Sequence, residues 1–523
     1  MIAFLLRQVL PDLVHFVSAD PKLTSSPPRH LHPHLRAIDR LRAYPARSFW
    51  CVLTLLPPSS FSKTRYDASS LAPHPHPTNE STKINPNDPN SHQTRSSPSP
   101  RGVSILRPLR GLDTNLYSNL ESSFLQVASS PFEIIFSVAS QHDQSIVIVR
   151  ALQARYPHVK SSLIIGEQIV GVNPKINNLI SSYRAAAYDI LWVIDSNVLT
   201  SIHTLQNSVH QLHSRGAQGR EIGLVHHLPF AIYPDQNLGS RVEQVFLCST
   251  HAKMYLAINY LSVASCVTGK SCLYRKSHLD QAAAKKRADP KKGLVLAEGE
   301  GGLAAFGKYL GEDNMIGEAL WQELGLRHAM GGDIAGNAVG SMTLGSYLRR
   351  RVRWIRVRKY MVVASTLIEP LTECLLLSIL AALAFPYLFP SLSAFLIIPL
   401  HITLWYTLDI LIYNALSRSS PAASTRVASN GPEHDGPGGI AWFKAWWVRE
   451  ALAFPLWAFA MLGNEVGWRD DGKVYRVRRD GSVDLVRDEE ESQQWVERGW
   501  SWVSNRWGGK KYATLPASDE EST

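Results

Sequence analysis

The sequence predicts an α/β domain with a mostly parallel sheet, followed by a cationic helix and two to three membrane helices. Three observations carry this. Short apolar runs of strand length alternate with helix-period segments between residues 102 and 361. The eleven residues Arg349–Lys359 (RRRVRWIRVRK) hold seven cations. Strongly apolar segments begin directly after Met361.

The first hundred residues differ from the rest. From Pro21 to Pro100 the chain is rich in Pro, Ser, His and Asn, a composition that cannot bury enough apolar surface to order itself. The apolar runs Met1–Val17 and Phe49–Leu56 fall short of the ~20 residues that span a bilayer. Beyond Gly102, strands are expected at Glu133–Val138, Ser162–Ile165 and Ile190–Ile194. Helices are expected at Ile146–Arg155, Lys175–Ala187 and Ser201–Ser214. Such alternation builds a parallel sheet. Pro290–Gly302 (PKKGLVLAEGEGG) reads as a loop.

Three apolar segments follow. Val362–Phe389 is interrupted by Pro370 and Pro386, Ser393–Tyr413 is cleaner, and Glu450–Leu462 is shorter. A polar loop covers 417–439. The tail holds a hairpin-like stretch, DDGKVYRVRRDGSVDLV, with turn signals at Asp471-Gly472 and Asp480-Gly481. The expected divisions are therefore 1–100, an α/β domain over 101–345, a cationic interfacial helix over 346–361, membrane helices over 362–465 and a tail over 466–523.

Composition narrows the function. The 523 residues include 54 basic and 44 acidic ones, a net charge of +10, yet only 19% are charged. That is below the ~25% of soluble proteins and agrees with membrane segments. The placement of the cations beside apolar helices favours a membrane surface and phosphate over nucleic acid. Five widely spaced cysteines (Cys51, Cys248, Cys266, Cys272, Cys374) form neither a zinc pattern nor a disulfide framework. Reduced thiols are expected, with Cys266 and Cys272 read as core residues.

Three constellations carry chemistry. In LWVIDSNV, Leu191–Val198, four apolar residues deliver Asp195 to the carboxyl end of a buried strand, the edge where open α/β sheets bind nucleotides. A carboxylate there can hold Mg²⁺ or Mn²⁺ against a diphosphate, or merely cap the next turn. In GEDNMIGEALWQELG, Gly311–Gly325, Asp313 opens a helix. It reads either as a general base for an acceptor hydroxyl or as an acidic residue favoured by the helix dipole. In Arg350-Arg351-Val352-Arg353-Trp354, the guanidinium groups of Arg350 and Arg353 share a helix face and suit diphosphate oxygens, and Trp354 offers a flat face to a sugar. The same cluster fits the positive-inside rule.

The order Asp195, Asp313, RxxRW, membrane resembles the plan of membrane glycosyltransferases with a GT-A-type domain. Pro100–Phe124, Val170–Tyr183, Gly223–Phe230 (GLVHHLPF), Ser265–Lys276 (SCVTGKSCLYRK) and Ile368–Cys374 (IEPLTEC) are similar to the ceramide glucosyltransferases, glycosyltransferase family 21. So are Trp446–Phe454 (WWVREALAF) and Val466–Arg478. The resemblance covers roughly residues 101–480. It implies inverting transfer of glucose from UDP-glucose to the primary hydroxyl of ceramide, at the cytosolic face of a Golgi or endoplasmic reticulum membrane.

The resemblance also implies roles. Asp313 is the base, and Asp195 lies beside a divalent metal, Mg²⁺ or Mn²⁺. Arg350, Arg353 and Trp354 line the donor site, Lys175 contacts the nucleotide, and His226 lines the sugar or acceptor site. Two departures stand out. Ser140 occupies the place of the family's first acidic residue, which leaves Asp143 as the neighbouring carboxylate for the metal. The family's N-terminal membrane anchor is not supplied by residues 1–100, so an atypical start is expected. Two other functions share parts of the pattern: a processive polysaccharide synthase, and a catalytically degenerate lipid-binding protein.

Overall fold

In the run VSILRPL every residue is buried, and it forms strand β1 (Val103–Leu109). A strand covered on both faces reads as a continuous apolar run, which suits a position inside a sheet. The structure, a computed structural model, describes residues 102–216, 219–262, 264–288, 301–388, 393–421, 437, 439–467 and 473–487. The expected disorder over 1–100, nearly all of the loop at 290–302 and most of the polar loop at 417–439 lie outside these residues.

Strands β2 (Phe132–Val138), β3 (Ser161–Ile165) and β4 (Ile190–Ile194) run parallel to β1 in the order β3-β2-β1-β4. Helices α1 (Leu116–Phe124), α2 (Ser145–Arg155) and α3 (Pro174–Ala185) lie between them in sequence. The remaining strands are β5 (Val198–Leu199), β6 (Ile222–Pro234), β7 (Ser271–Arg275) and β8 (Arg327–Gly340), and they continue the sheet as β4-β7-β6-β8-β5. Here β7 and β5 run antiparallel to their neighbours, so six of the eight strands share one direction. The sheet is mostly parallel, with its second half mixed.

Successive strand residues face opposite sides. Leu106 and Leu191 join a core with Ile180 of α3 and Phe306. Ile105 and Trp192 join a second core with Phe136 and with Leu205 of α4 (Thr204–His213). Helices α5 (Leu238–Cys248), α6 (Thr250–Leu261), α7 (Lys276–Ala288), α8 (Glu312–Leu324) and α9 (Leu344–Arg358) complete this domain.

The segment read as an interfacial helix is α9, and its cations point mostly into protein. Arg351 donates to Glu243 of α5 at 3.2 Å, Arg356 to the Glu465 carbonyl at 2.6 Å and Lys359 to the Met461 carbonyl at 3.2 Å. Arg358 pairs with Glu369. Buried cations persist only when paired, and here carboxylates and carbonyls from later parts of the chain supply the partners.

After α9 come α10 (Val363–Ile368), a 3-10 turn (Glu369–Thr372), α11 (Cys374–Leu388), α12 (Ala394–Ser417) and α13 (Ile440–Leu462). Among the described residues, one helix, Phe395–Ser417, is long and apolar enough to cross a membrane. A second candidate is the pair Ser365–Thr372 and Cys374–Tyr387, bent by 72°. The expectation of two to three spans is thereby reduced. The third segment belongs to α13, which packs along α5 and α9 and buries Trp442, Trp446, Arg449 and Glu450. Arg449 reaches Glu373 at 2.6 Å, so the middle of α13 is an ion-paired protein contact. The chain ends its described part in a small antiparallel sheet, β9 (Glu465–Gly467), β10 (Val474–Val477) and β11 (Val483–Arg487). The turn read at Asp480-Gly481 joins β10 to β11, with Gly481 at φ +79°.

Helices α5 and α9 begin in close contact. A Cβ added to Gly239 would lie 2.2 Å from the Met342 carbonyl oxygen. Gly239→Ala is expected to push the two helix starts apart and cost about 1–3 kcal/mol, read as a lower unfolding midpoint of the detergent-solubilised protein.

Candidate active site

Asp195 follows the last residue of β4, and its backbone N–H bonds to the Lys270 carbonyl at 3.1 Å. Each carboxylate oxygen meets an ammonium group: Oδ1 lies 2.9 Å from Lys175 Nζ and Oδ2 lies 2.9 Å from Lys270 Nζ. Burial favours the neutral acid, but Lys175 and Lys270 outweigh it and hold Asp195 well below the usual carboxylate range.

Lys175 stands in the first turn of α3. Asn173 caps that helix by accepting from the Lys175 and Ile176 N–H groups, and Pro174 follows the cap. Besides Asp195, Lys175 Nζ meets Glu312 Oε1 at 3.0 Å and the Gly269 carbonyl at 3.3 Å. An ammonium has three donors, and these three oxygens engage them all. Burial would lower this group, but Asp195, Glu312 and Asp313 hold it well above its ordinary value. Lys175 is thus a strut on the cleft wall, with its ammonium engaged by protein oxygens.

Glu312 and Asp313 open α8. Glu312 is buried and also accepts from Asn173 Nδ2 at 2.8 Å. Asp313 points towards Gly269, where an added Cβ would come within 1.9 Å of its Oδ2. Gly269 is therefore the residue that leaves room for the carboxylate. Burial and the neighbouring Glu312 charge push Asp313 up to about 7, with Lys175 opposing. A carboxylate balanced near neutrality can accept a proton and give it back.

Lys175, Asp195, Asp313, Arg350, Arg353, Trp354 and Asp143 all line one cleft of about 920 Å³. The guanidinium of Arg350 lies 3.4 Å from Glu243 and 5.0 Å from the Trp354 ring centre. Buried Arg351 stacks on Trp354 at 3.8 Å and fixes the indole. His226 is not on the cleft wall. It is fully buried in β6, with ring nitrogens 3.1 Å from Asn259 Oδ1 and 3.3 Å from Thr268 Oγ1. Burial, with His328 nearby, pushes it down to about 3, so it is a neutral support behind the Thr268–Lys270 loop. His251 and Tyr255 of α6 line the cleft instead, with rings 4.4 Å apart.

Asp143 has a latching role. It accepts from the Gly111 N–H at 2.9 Å, the Ser145 N–H at 2.9 Å and the Ser145 hydroxyl at 2.6 Å. Ser140 lines the same cleft. With Asp195 committed to two ammonium groups and Asp143 to local donors, this set does not fit the expected Mg²⁺ or Mn²⁺. Among the described residues no three His, Cys, Asp or Glu converge on a possible ion site.

The sequence reading missed Lys270. It also bonds Asn197 Oδ1 at 3.0 Å, and its position after Gly269 in the GKSC stretch was the available signal. Asp113, bonded to Ser196, was missed as well; nothing in its surroundings in the sequence marked it.

The cleft joins carboxylates, ammonium groups and guanidinium groups, and a helix long and apolar enough to cross a membrane follows it in the chain. The glycosyl transferase family 21 model matches residues 79–284 and 291–483, so the chain belongs to that family. The match begins within the segment expected to be disordered. Curated relatives include a ceramide glucosyltransferase from Komagataella phaffii, 36% identical over 74% of this chain and 84% of that protein. Another, from Candida albicans, is 32% identical over 76% and 90%. Among solved structures, a mannosyltransferase from Pyrobaculum calidifontis with GDP-Man and Mn²⁺ aligns at 14% identity and TM-score 0.34, over 69% of this chain and 83% of that one. Glucosyl-3-phosphoglycerate synthase from Mycobacterium tuberculosis, with Mn²⁺ and UDP, aligns at 15% and 0.31, over 50% and 78%.

Lys175→Met leaves Asp195 and Glu312 without their shared cation. Breaking a buried pair costs ~3–5 kcal/mol, and partial exposure reduces this to about 2 kcal/mol. Thermal unfolding in detergent should show that loss.

Proposed function

We propose that the protein transfers glucose from UDP-glucose to the primary hydroxyl of ceramide, with inversion, releasing UDP and glucosylceramide. The observation that carries this is Asp313, a carboxylate balanced near neutrality in a cleft shared with Lys270, Arg350 and Arg353. The relatives' activity supports the choice of substrates.

The α/β domain is read as GT-A type, and the cleft has two characters. Asp195, Lys270, Asn197, Asp113 and Arg110 form a polar part, whereas Tyr255, Val267, Val357 and Met361 form an apolar part. Asp313 belongs to both neighbourhoods. It faces Gly269, next to Lys270, and it follows Gly311, whose added Cβ would sit 3.2–3.3 Å from Met361 and Val357. A nucleotide-sugar then occupies the polar part and a lipid hydroxyl approaches from the apolar part.

An inverting transfer is one in-line displacement. The ceramide oxygen attacks the anomeric carbon as its proton passes to Asp313. The bond to the diphosphate oxygen breaks, and its electron pair leaves with UDP. Lys270, Arg350 and Arg353 meet the charge that develops there. Lys175 holds Asp195 and Glu312 so that Asp313 and Lys270 keep their places.

Two contacts support the proposed membrane placement. Val483 N–H bonds the Lys308 carbonyl at 3.1 Å, and Arg356 bonds the Glu465 carbonyl. The tail thus meets the catalytic domain on one side of the bilayer, which requires an even number of crossings. The compartment proposed is the Golgi or endoplasmic reticulum, with the domain in the cytosol.

Asp313→Asn should lower turnover by about 10²–10⁴-fold while UDP binding, measured by calorimetry, persists. In the unaltered protein kcat/KM should fall as pH drops through about 7, because a protonated Asp313 cannot accept the hydroxyl proton. Unchanged turnover in the variant refutes the base.

Lys270→Met should weaken UDP binding about tenfold or more, the worth of a charge-assisted hydrogen bond. Excess EDTA should leave turnover of the unaltered protein unchanged. Loss with EDTA and recovery with Mn²⁺ would show Asp195 leaving its lysines for a metal.

A further inference from the structure

Helix α6 carries no charge after Lys253. Its last eight residues, Met254–Leu261, are apolar except for Asn259 and the phenolic ends of Tyr255 and Tyr260. A helix of this composition is ordinarily enclosed by protein or lipid, yet Tyr260 is 70% and Leu261 57% exposed. A second apolar set stands on α10 and the turn after it: Val363, Leu367, Ile368 and Leu371 are each more than half exposed.

Both sets border the apolar part of the cleft. Tyr255, on α6, and Met361, two residues before Val363, line it. Arg358, which pairs with Glu369 of the turn after α10, lines the same cleft as Tyr255, so α6 and the α10 segment approach each other there. Lys253 meets Asp409 of α12 at 2.6 Å and lies 4.1 Å from the Trp405 ring centre. The first turn of α6 therefore touches the helix long enough to cross a bilayer, and the α10 set runs directly into the second candidate span. That continuity selects lipid as the occupant, ahead of a protein partner or a second copy. Aromatic and aliphatic side chains of this kind settle at the boundary between headgroups and acyl chains.

We propose that the C-terminal half of α6 and the α10–turn segment lie in the headgroup–acyl boundary at the two margins of the cleft, and that the lipid acceptor passes sideways between them. The proposal rests on the reading of a lipid acceptor given above, and adds the surface and the route. A ceramide taken this way never leaves the leaflet, so its chains need not cross water to bring the hydroxyl to Asp313.

The test uses the full chain in phosphatidylcholine nanodiscs. Tyr260→Ser with Leu261→Ser, and separately Leu367→Ser with Ile368→Ser, change exposed side chains outside the cleft. Each pair should raise the KM for long-chain ceramide in the bilayer about tenfold, given the apolar area lost to lipid. Transfer to a short-chain, water-soluble ceramide should be unchanged. In the unaltered protein, a photoactivatable long-chain ceramide should label peptides within 254–262 and 363–372. An unchanged KM for bilayer ceramide, labelling confined elsewhere, or cross-linking of these segments to a second copy would overturn the route. Failure of the unaltered protein to glucosylate either substrate would instead overturn the functional reading.

Discussion

Lys175 joins three pieces of chain that are distant in sequence. Its ammonium meets Asp195 after β4, Glu312 at the start of α8 and the Gly269 carbonyl before β7. Two carboxylates brought this close repel each other strongly in a low-dielectric interior, and the ammonium between them reverses the sign of the contact. The same charge restrains the proton affinity of Asp313. Without it, two carboxylates would face each other unpaired where the first turn of α8 meets the strand end. Asp143, Trp354 and Arg350 are held in the same cleft by separate contacts to Gly111 and Ser145, Arg351 and Glu243.

The sequence made the sheet's first half legible because its strands are uninterrupted apolar runs. Ile190–Ile194 was readable residue for residue, and so was the carboxylate it delivers. Helix α8 was readable from its acidic start and apolar period. What could not be read was which charged group would be spent on which. Lys175, at a helix start, and Lys270, in a loop, both line the cleft, yet the first has all three donors engaged by protein and the second two. His226 sits in a motif-like stretch but points behind β6, whereas His251, in an unremarked helix, forms part of the wall. These outcomes depend on strand register and helix rotation, which local composition does not encode.

The membrane segments failed to be legible for a different reason. Hydropathy measures how apolar a stretch is, and α13 is apolar enough to attract notice. Its Arg449 is paired in the interior with both Glu373 and Glu450, so the helix satisfies its polar groups against protein. The cations of α9 were similarly ambiguous between lipid headgroups and phosphate. Most of them bond carboxylates and carbonyls of α5, α13 and the small terminal sheet.

That distribution explains how the cleft is held to the bilayer. Arg350 and Arg353 line it from α9, while Arg356 and Lys359 of the same segment fasten the end of α13 and the strand after it. Two residues after Met361 the chain enters α10. Donor-side cations, acceptor-side apolar residues and the membrane segments are thus borne by one short stretch, Arg350–Ile368, and no flexible linker separates them. A domain tethered by a loose loop would present its cleft to the leaflet only part of the time. Here the guanidinium groups and the start of α10 keep a fixed separation, which is what the proposed transfer to a lipid hydroxyl at headgroup depth requires.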